Sequence, residues 1–267
     1  MHTYSITSGK GGVGKTSLVC NMARQFGALG KKVLLIDADL GLANVDIVMG
    51  LSPKANLSDL FNGTADLESL LIPAFENVTV LPASSGVQEM SFLSDEQVLK
   101  FMEAVNNLDH RFDIVFVDTG AGIGRNVLHF NAAAQDILLV ATPEPTSITD
   151  AYALLKVLNQ EKLIKKFRLI VNRVDSKADA LKVYRALTNV ADRFLDVAIE
   201  FLGYVPNDPM VSKAVIGRQL LLDAAPDSEA SLGIKELVSS LAKDPPIDTP
   251  TGNMQFFWQR LIGPPEV

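Results

Sequence analysis

Short, largely apolar runs alternate with longer stretches of helical spacing along nearly the whole chain. Residues 4–7, 33–36, 78–81, 114–117, 137–141, 169–171 and 201–205 are the runs. They have the pattern of strands covered on both faces rather than one. Between them, 15–29, 95–108, 148–160 and 177–194 repeat their apolar residues at helical intervals. Such regular alternation predicts an α/β fold: a doubly wound, mostly parallel sheet with helices on both faces.

The pattern breaks near the end. Residues 243–252 hold three of the thirteen prolines, which block regular structure. At about 100° per residue, Met254, Phe257, Trp258, Leu261 and Ile262 then fall on one helical face. The expected organisation is a globular body over 1–242, a proline-rich linker over 243–252 and an amphipathic helix over 253–263.

Composition narrows the function classes. Of 267 residues, 48% are hydrophobic and 21% charged, enough for a full core and unlike a disordered or collagen-like chain. Twenty-four Lys and Arg against 31 Asp and Glu give a net charge of −7, which disfavours broad attraction to DNA. The one cysteine, Cys20, excludes an internal disulfide and a cysteine-built metal cluster; we read it as a small buried hydrophobe in a reducing cytoplasm. The opening residues lack a secretory pattern, and no apolar run is long enough for a membrane-spanning helix. A soluble protein is expected.

The chemistry is concentrated at strand ends. Gly9-Lys10-Gly11-Gly12-Val13-Gly14-Lys15-Thr16 fits G-x-x-x-x-G-K-[ST], follows the first strand and opens a helix. Chance would place this pattern in about one chain in a hundred of this length. Glycines let backbone N–H groups turn towards phosphate oxygens, and the helix N-terminus favours an anion. Lys15 is positioned for the β- and γ-phosphates and the Thr16 hydroxyl for Mg²⁺. Strand 33–36 ends in Asp37 and Asp39. Strand 114–117 ends in Asp118-Thr119-Gly120-Ala121-Gly122. Ligands gather beyond the carboxyl ends of parallel strands, where carboxylates can hold hydrated metal and orient water. Asp at a strand end is also an ordinary turn former or helix cap.

With Lys10 ahead of its paired glycines, the loop resembles the deviant Walker A box of the MinD/ParA ATPases. That resemblance implies Lys10 reaching the nucleotide of a partner subunit, so that two protomers enclose two ATP molecules. Gly11, Gly12, Val13, Gly14, Lys15, Thr16 and Ser17 would bind ATP or ADP. Asp39 would position the attacking water, with Thr16, Asp37, Asp39 and Asp118 around Mg²⁺. Asn172 after one strand, and Pro206 and Asp208 after the last, would bracket adenine. The residues alone also fit strand-end turns.

Asp39-Leu40-Gly41-Leu42-Ala43-Asn44-Val45-Asp46, Glu144-Pro145-Thr146-Ser147-Ile148-Thr149-Asp150 and Gln255-Phe256-Phe257-Trp258-Gln259-Arg260-Leu261 are similar to segments of the flagellar-number regulators called FlhG or FleN. On bare physics the second segment needs only Ser147 or Thr149 as a helix cap. This resemblance implies an ATP-dependent homodimer, a weak ATPase used as a switch that limits flagellar number and placement. Its partners would be an FlhF-type GTPase and a flagellar master transcription activator of the enhancer-binding class. The first strand begins almost at Met1, so the segment that stimulates FlhF in some members is not expected. Restraint of the activator is the better fit. The C-terminal helix, with Phe257, Trp258, Leu261 and Ile262, would give a cytoplasmic protein ATP-dependent attachment to the inner membrane. A MinD-like division-site or ParA-like partitioning ATPase shares the loop; partitioning needs DNA binding, which the charge disfavours.

Overall fold

The structure is a computed structural model that describes residues 1–39, 44–55, 59, 63–82, 108, 111–162 and 164–243. The helix expected over 95–108, apart from Leu108, lies outside the described residues. So do the linker beyond Lys243 and the C-terminal helix with Phe257, Trp258, Leu261 and Ile262.

The elements run β1 (His2–Ser8), α1 (Lys15–Ala28), β2 (Val33–Ala38), α2 (Val45–Met49), α3 (Leu67–Leu70), β3 (Ile72–Phe75) and β4 (Val78–Leu81). There follow β5 (Ile114–Ala121), α4 (Arg125–Ala133), β6 (Asp136–Ala141), α5 (Pro145–Lys162), β7 (Lys166–Val174) and α6 (Lys177–Phe194). β8 (Ala198–Pro206), α7 (Pro209–Ile216), α8 (Leu221–Ala224) and α9 (Glu229–Leu241) complete them. All seven expected strands are present.

One eight-stranded sheet has the order β3-β4-β2-β5-β1-β6-β7-β8. Every neighbouring pair is parallel except β3 with β4. β3 is a strand that the sequence pattern conceals. It is four residues long and contains Pro73, and proline is tolerated in sheets chiefly at an edge, where this strand lies.

Strand residues alternate between two cores, as a pleat with period two requires. Val33 and Leu35 of β2, with Ile114 and Phe116 of β5, join the core beneath α1 and α9. Leu34, Ile36, Val115 and Val117 face the other way, with Leu67, Leu70 and Phe130. Farther along the sheet, Ile137, Leu139, Phe167, Leu169 and Val171 meet Leu154, Leu158 and Leu187 of α5 and α6. Residues buried on both faces explain the unbroken apolar runs. At about 1.5–3 kcal/mol per large apolar side chain, this burial is the main favourable term in folding.

α9 buries Ala230, Ile234, Leu237, Val238 and Leu241, a spacing that is helical in the sequence although it lies beyond the predicted set. α5 begins at Pro145, one turn before the predicted 148. Ser147 and Thr149 therefore lie inside its first turns, and the Ser147 hydroxyl accepts the Thr142 N–H at 3.0 Å. Pro145 suits the first turn of a helix, where an N–H would have no helical partner.

Candidate functional site

Strand order reverses at β1, which lies between β5 and β6. The carboxyl ends of β1, β2, β5, β7 and β8 carry respectively the glycine-rich loop, Asp37 and Asp39, Asp118, Asn172 and Pro206. Parallel pairing brings them to one edge, and the register places Asp37 directly beside Asp118.

The loop between β1 and α1 turns through left-handed backbone at Gly12, φ 75°, and at Gly14, φ 94°. Gly14 is the N-cap of α1, and Lys15, 8% exposed, opens the helix. Gly9 is required for a different reason: a Cβ there would lie 2.0 Å from the Asp150 carbonyl oxygen of α5. The loop thus starts in backbone contact with α5. Gly122, φ 89°, donates its N–H to the Ser8 carbonyl at 2.9 Å, and the Ser8 hydroxyl donates to the Lys10 carbonyl at 2.7 Å.

Lys10 points along α5. Its Nζ donates to Glu144 Oε2 at 2.5 Å and to Thr146 Oγ1 at 2.8 Å, and its side chain is 35% exposed. The ammonium holds the Glu144 carboxyl below the usual carboxylate range. Sequence reasoning requires no function of Glu144 and Thr146. The matching run around them is the available signal.

The acidic side is deeply buried. Asp37 is 3% exposed; its Oδ1 accepts the Asp39 N–H at 3.1 Å, and its Oδ2 accepts those of Asn44 and Val45 at 3.2 Å. It therefore anchors the start of α2, yet burial still raises its pKa to about 6. Asp118 is 1% exposed. Burial raises its pKa to about 7, against the lowering effects of a Thr16 side-chain hydrogen bond and the nearby Lys15 charge; Asp37 and Asp39 raise it further. Its Oδ1 is buried without a hydrogen-bond partner. Asp39 is half-buried, and a Cβ on Gly120 would lie 3.5 Å from its Oδ1, an ordinary contact. Glycine at 120 is therefore not demanded by space. Cys20 is fully buried on α1, its thiol pKa pushed up by burial and by Asp118 and Asp37.

Beside the loop lies a cavity of about 580 Å³ lined by Gly14, Ser17, Asn172, Pro206, Asp208 and the apolar residues of α7. Asn172 and Asp208 both reach this cavity, but their polar atoms already have protein partners. Asn172 Nδ2 donates to the Val13 carbonyl at 2.7 Å, and its Oδ1 accepts the Arg173 N–H at 3.0 Å. Asp208 Oδ1 accepts the Met210 N–H at 2.8 Å and Oδ2 the Ala230 N–H at 3.2 Å, so one carboxylate caps both α7 and α9.

A further buried network has no signature in the sequence. The Ser5 hydroxyl donates to Asn131 Oδ1 at 2.8 Å, and Asn131 Nδ2 donates to Thr7 Oγ1 at 3.1 Å and to the Val127 carbonyl at 2.7 Å. Thr119 Oγ1 lies 3.0 Å from Thr7 Oγ1 and from the Ile6 carbonyl. These bonds join α4 to β1 and to the residue after Asp118.

A glycine-rich loop between strand and helix, a basic residue at its end and buried carboxylates on adjoining strands define a P-loop nucleotide-binding protein. The chain belongs to the CobQ/CobB/MinD/ParA nucleotide binding domain family, whose pattern matches residues 4–222. It is 42% identical over 265 residues to the antiactivator FleN of Pseudomonas aeruginosa, covering 99% of this chain and 95% of that one. It is 30% identical over 262 residues to the flagellum site-determining protein YlxH of Helicobacter pylori, covering 97% and 88%. Among solved structures, the septum site-determining protein MinD from Pyrococcus horikoshii, complexed with Mg-ADP, superposes with a TM-score of 0.70 at 26% identity, over 91% of this chain and 96% of that one.

The site fits a magnesium nucleotide. Among the described residues no three of His, Cys, Asp and Glu form a cation cage. Mg²⁺ commonly needs no such cage, keeping several waters and taking one or two carboxylates plus phosphate oxygens. The buried, unpartnered Asp118 Oδ1 is a suitable acceptor for its hydration shell.

Proposed function

We propose that this protein is an ATP-dependent dimerising switch with slow ATP hydrolysis that limits flagellar number and placement. One observation carries the reading: its likeness to an antiactivator extends over 99% of the chain, phosphate loop included. The name antiactivator suggests restraint of a transcription activator, here the flagellar master activator of the enhancer-binding class, with an FlhF-type GTPase as second partner.

Lys15 and the N-terminus of α1 hold the phosphates, with Gly11, Gly12, Val13, Gly14, Thr16 and Ser17 around them. Thr16, Asp118, Asp37 and Asp39 hold hydrated Mg²⁺. Bound Mg²⁺ would supply charge neutralisation on the phosphate oxygens during γ-phosphoryl transfer to water. Asp39 orients the attacking water. Asn172, Pro206 and Asp208 shape the wall for the base, the first through Val13 and the last through two helix caps. Lys10 leaves Glu144 and Thr146 to reach the partner's nucleotide when two protomers meet. Phe257, Trp258, Leu261 and Ile262 lie outside the described residues; we assign them to the inner-membrane surface. Among the described residues no helix is long and apolar enough to cross a membrane.

The test is a count of flagella per cell by electron microscopy after deletion of the gene. Extra flagella, reversed by the intact gene but not by Lys15→Ala, are expected. Normal flagella with minicells or lost chromosomes would move the protein to the division-site or partitioning branch. In vitro, Asp39→Ala should accumulate as a dimer in ATP by light scattering; a variant that stays monomeric contradicts the switch.

A further inference from the structure

Arg173 has a conformation that ordinary strand residues avoid. Its φ is 59°, one of three positive values outside glycine among the described residues, and a left-handed conformation costs an L-residue energy. Three features impose it. The β7–β8 register slips between Asn172 and Val174, so Arg173 is an extra residue bulged out of β7. Its N–H is held by Asn172 Oδ1, and Asn172 is itself tied to the loop through the Val13 carbonyl. Bulges of this kind re-aim a side chain beside a site.

The side chain so aimed is exposed and makes no hydrogen bond or ion pair among the described residues. It lines the base cavity, and its Nη2 lies 4.0 Å from where a Cβ on Gly14 would be. The same cavity is lined by Val215 and Ile216, which are 47% and 83% exposed, unusual for large apolar side chains. One wall therefore offers apolar surface and another a planar cation. That combination suits the flat face of a purine, on which a guanidinium stacks well.

We propose that Arg173 is a nucleotide-positioning residue whose guanidinium covers the purine face of the bound nucleotide. The proposal rests on the reading that this cavity takes the base. Arg173→Gly is the informative variant, because glycine adopts φ 59° without strain while removing the side chain. Its melting temperature should equal or exceed that of the wild type, while its affinity for Mg-ADP by calorimetry falls on the order of tenfold. Inorganic pyrophosphate, which has no base, should bind both proteins alike. Arg173→Lys keeps the charge but not the plane, and should lose most of the same affinity. Unchanged Mg-ADP binding by Arg173→Gly, parallel losses for Mg-ADP and pyrophosphate, or wild-type affinity in Arg173→Lys would each overturn the proposal. A wild-type protein that binds neither ligand would instead refute the nucleotide reading itself.

Discussion

Replacing Asp118 by asparagine should stabilise the nucleotide-free protein, and should do so increasingly as pH rises. The folded protein holds this carboxyl at a pKa of about 7, against 3.8 for an exposed aspartate, chiefly because burial disfavours its charged form. Between those values the folded state binds a proton that the unfolded chain has lost, so stability falls as pH rises through the window. The interval, at about 1.36 kcal/mol per pH unit, amounts to roughly 4 kcal/mol above pH 7. Asp37, raised to about 6, adds a decline of roughly 3 kcal/mol that is complete sooner. An asparagine amide occupies nearly the same volume and cannot ionise. The advantage of Asp118→Asn should therefore be about 1.6 kcal/mol at pH 5 and roughly 4 kcal/mol at pH 8.

Urea unfolding with a chelator and without nucleotide, fitted by linear extrapolation at several pH values, gives both curves. Addition of Mg-ADP should reverse the ranking. A cation near the carboxylate favours its charged form, and the neutral amide of the variant gains little from that attraction. Parallel curves for the two proteins between pH 5 and 8 would refute the reasoning, as would a variant less stable at every pH.

Four other substitutions probe the surroundings of the site. Gly9→Ala places a Cβ against backbone that has no freedom to yield, and should lower stability by about 3 kcal/mol in the same assay. Asn131→Ala leaves buried hydroxyls of Ser5 and Thr7 without a partner, for an expected loss of about 2 kcal/mol on thermal unfolding. Asp208→Ala removes the caps of α7 and α9, at about 1 kcal/mol each; an unchanged melting curve would leave that double-cap role without support. Glu144→Gln frees Lys10, and light scattering should show half-dimerisation at a lower ATP concentration than in the wild type; a higher concentration would show that Glu144 assists the dimer.

Much of this site can be read in the sequence because its parts depend on strand ends. A buried parallel strand must be apolar on both faces, so the position where the run stops, at Asp37 or Asp118, is visible, and parallel topology brings those positions together. The glycine loop is legible for the same reason: left-handed turns at Gly12 and Gly14 need the residue that tolerates them. β3 is hidden by Pro73, which in a central strand would argue against strand altogether. What sequence does not supply is the partner of each polar group. Asn172 and Asp208 do reach the base cavity, yet their hydrogen bonds run to the loop and to two helix ends. Lys10 fits the expected motif, but the residues that hold it lie 134 and 136 positions away. Such pairs are set by the packing of α5 against Gly9 rather than by local spacing. Arg173 combines both limits: its neighbour Asn172 is legible at a strand end, whereas the bulge that turns Arg173 towards the same cavity depends on the register of β7 with β8. The loop and carboxylates thus specify a nucleotide site from local sequence alone. The means by which this chain tunes it, through Glu144, Arg173 and the Asn131 network, arise only from the tertiary arrangement.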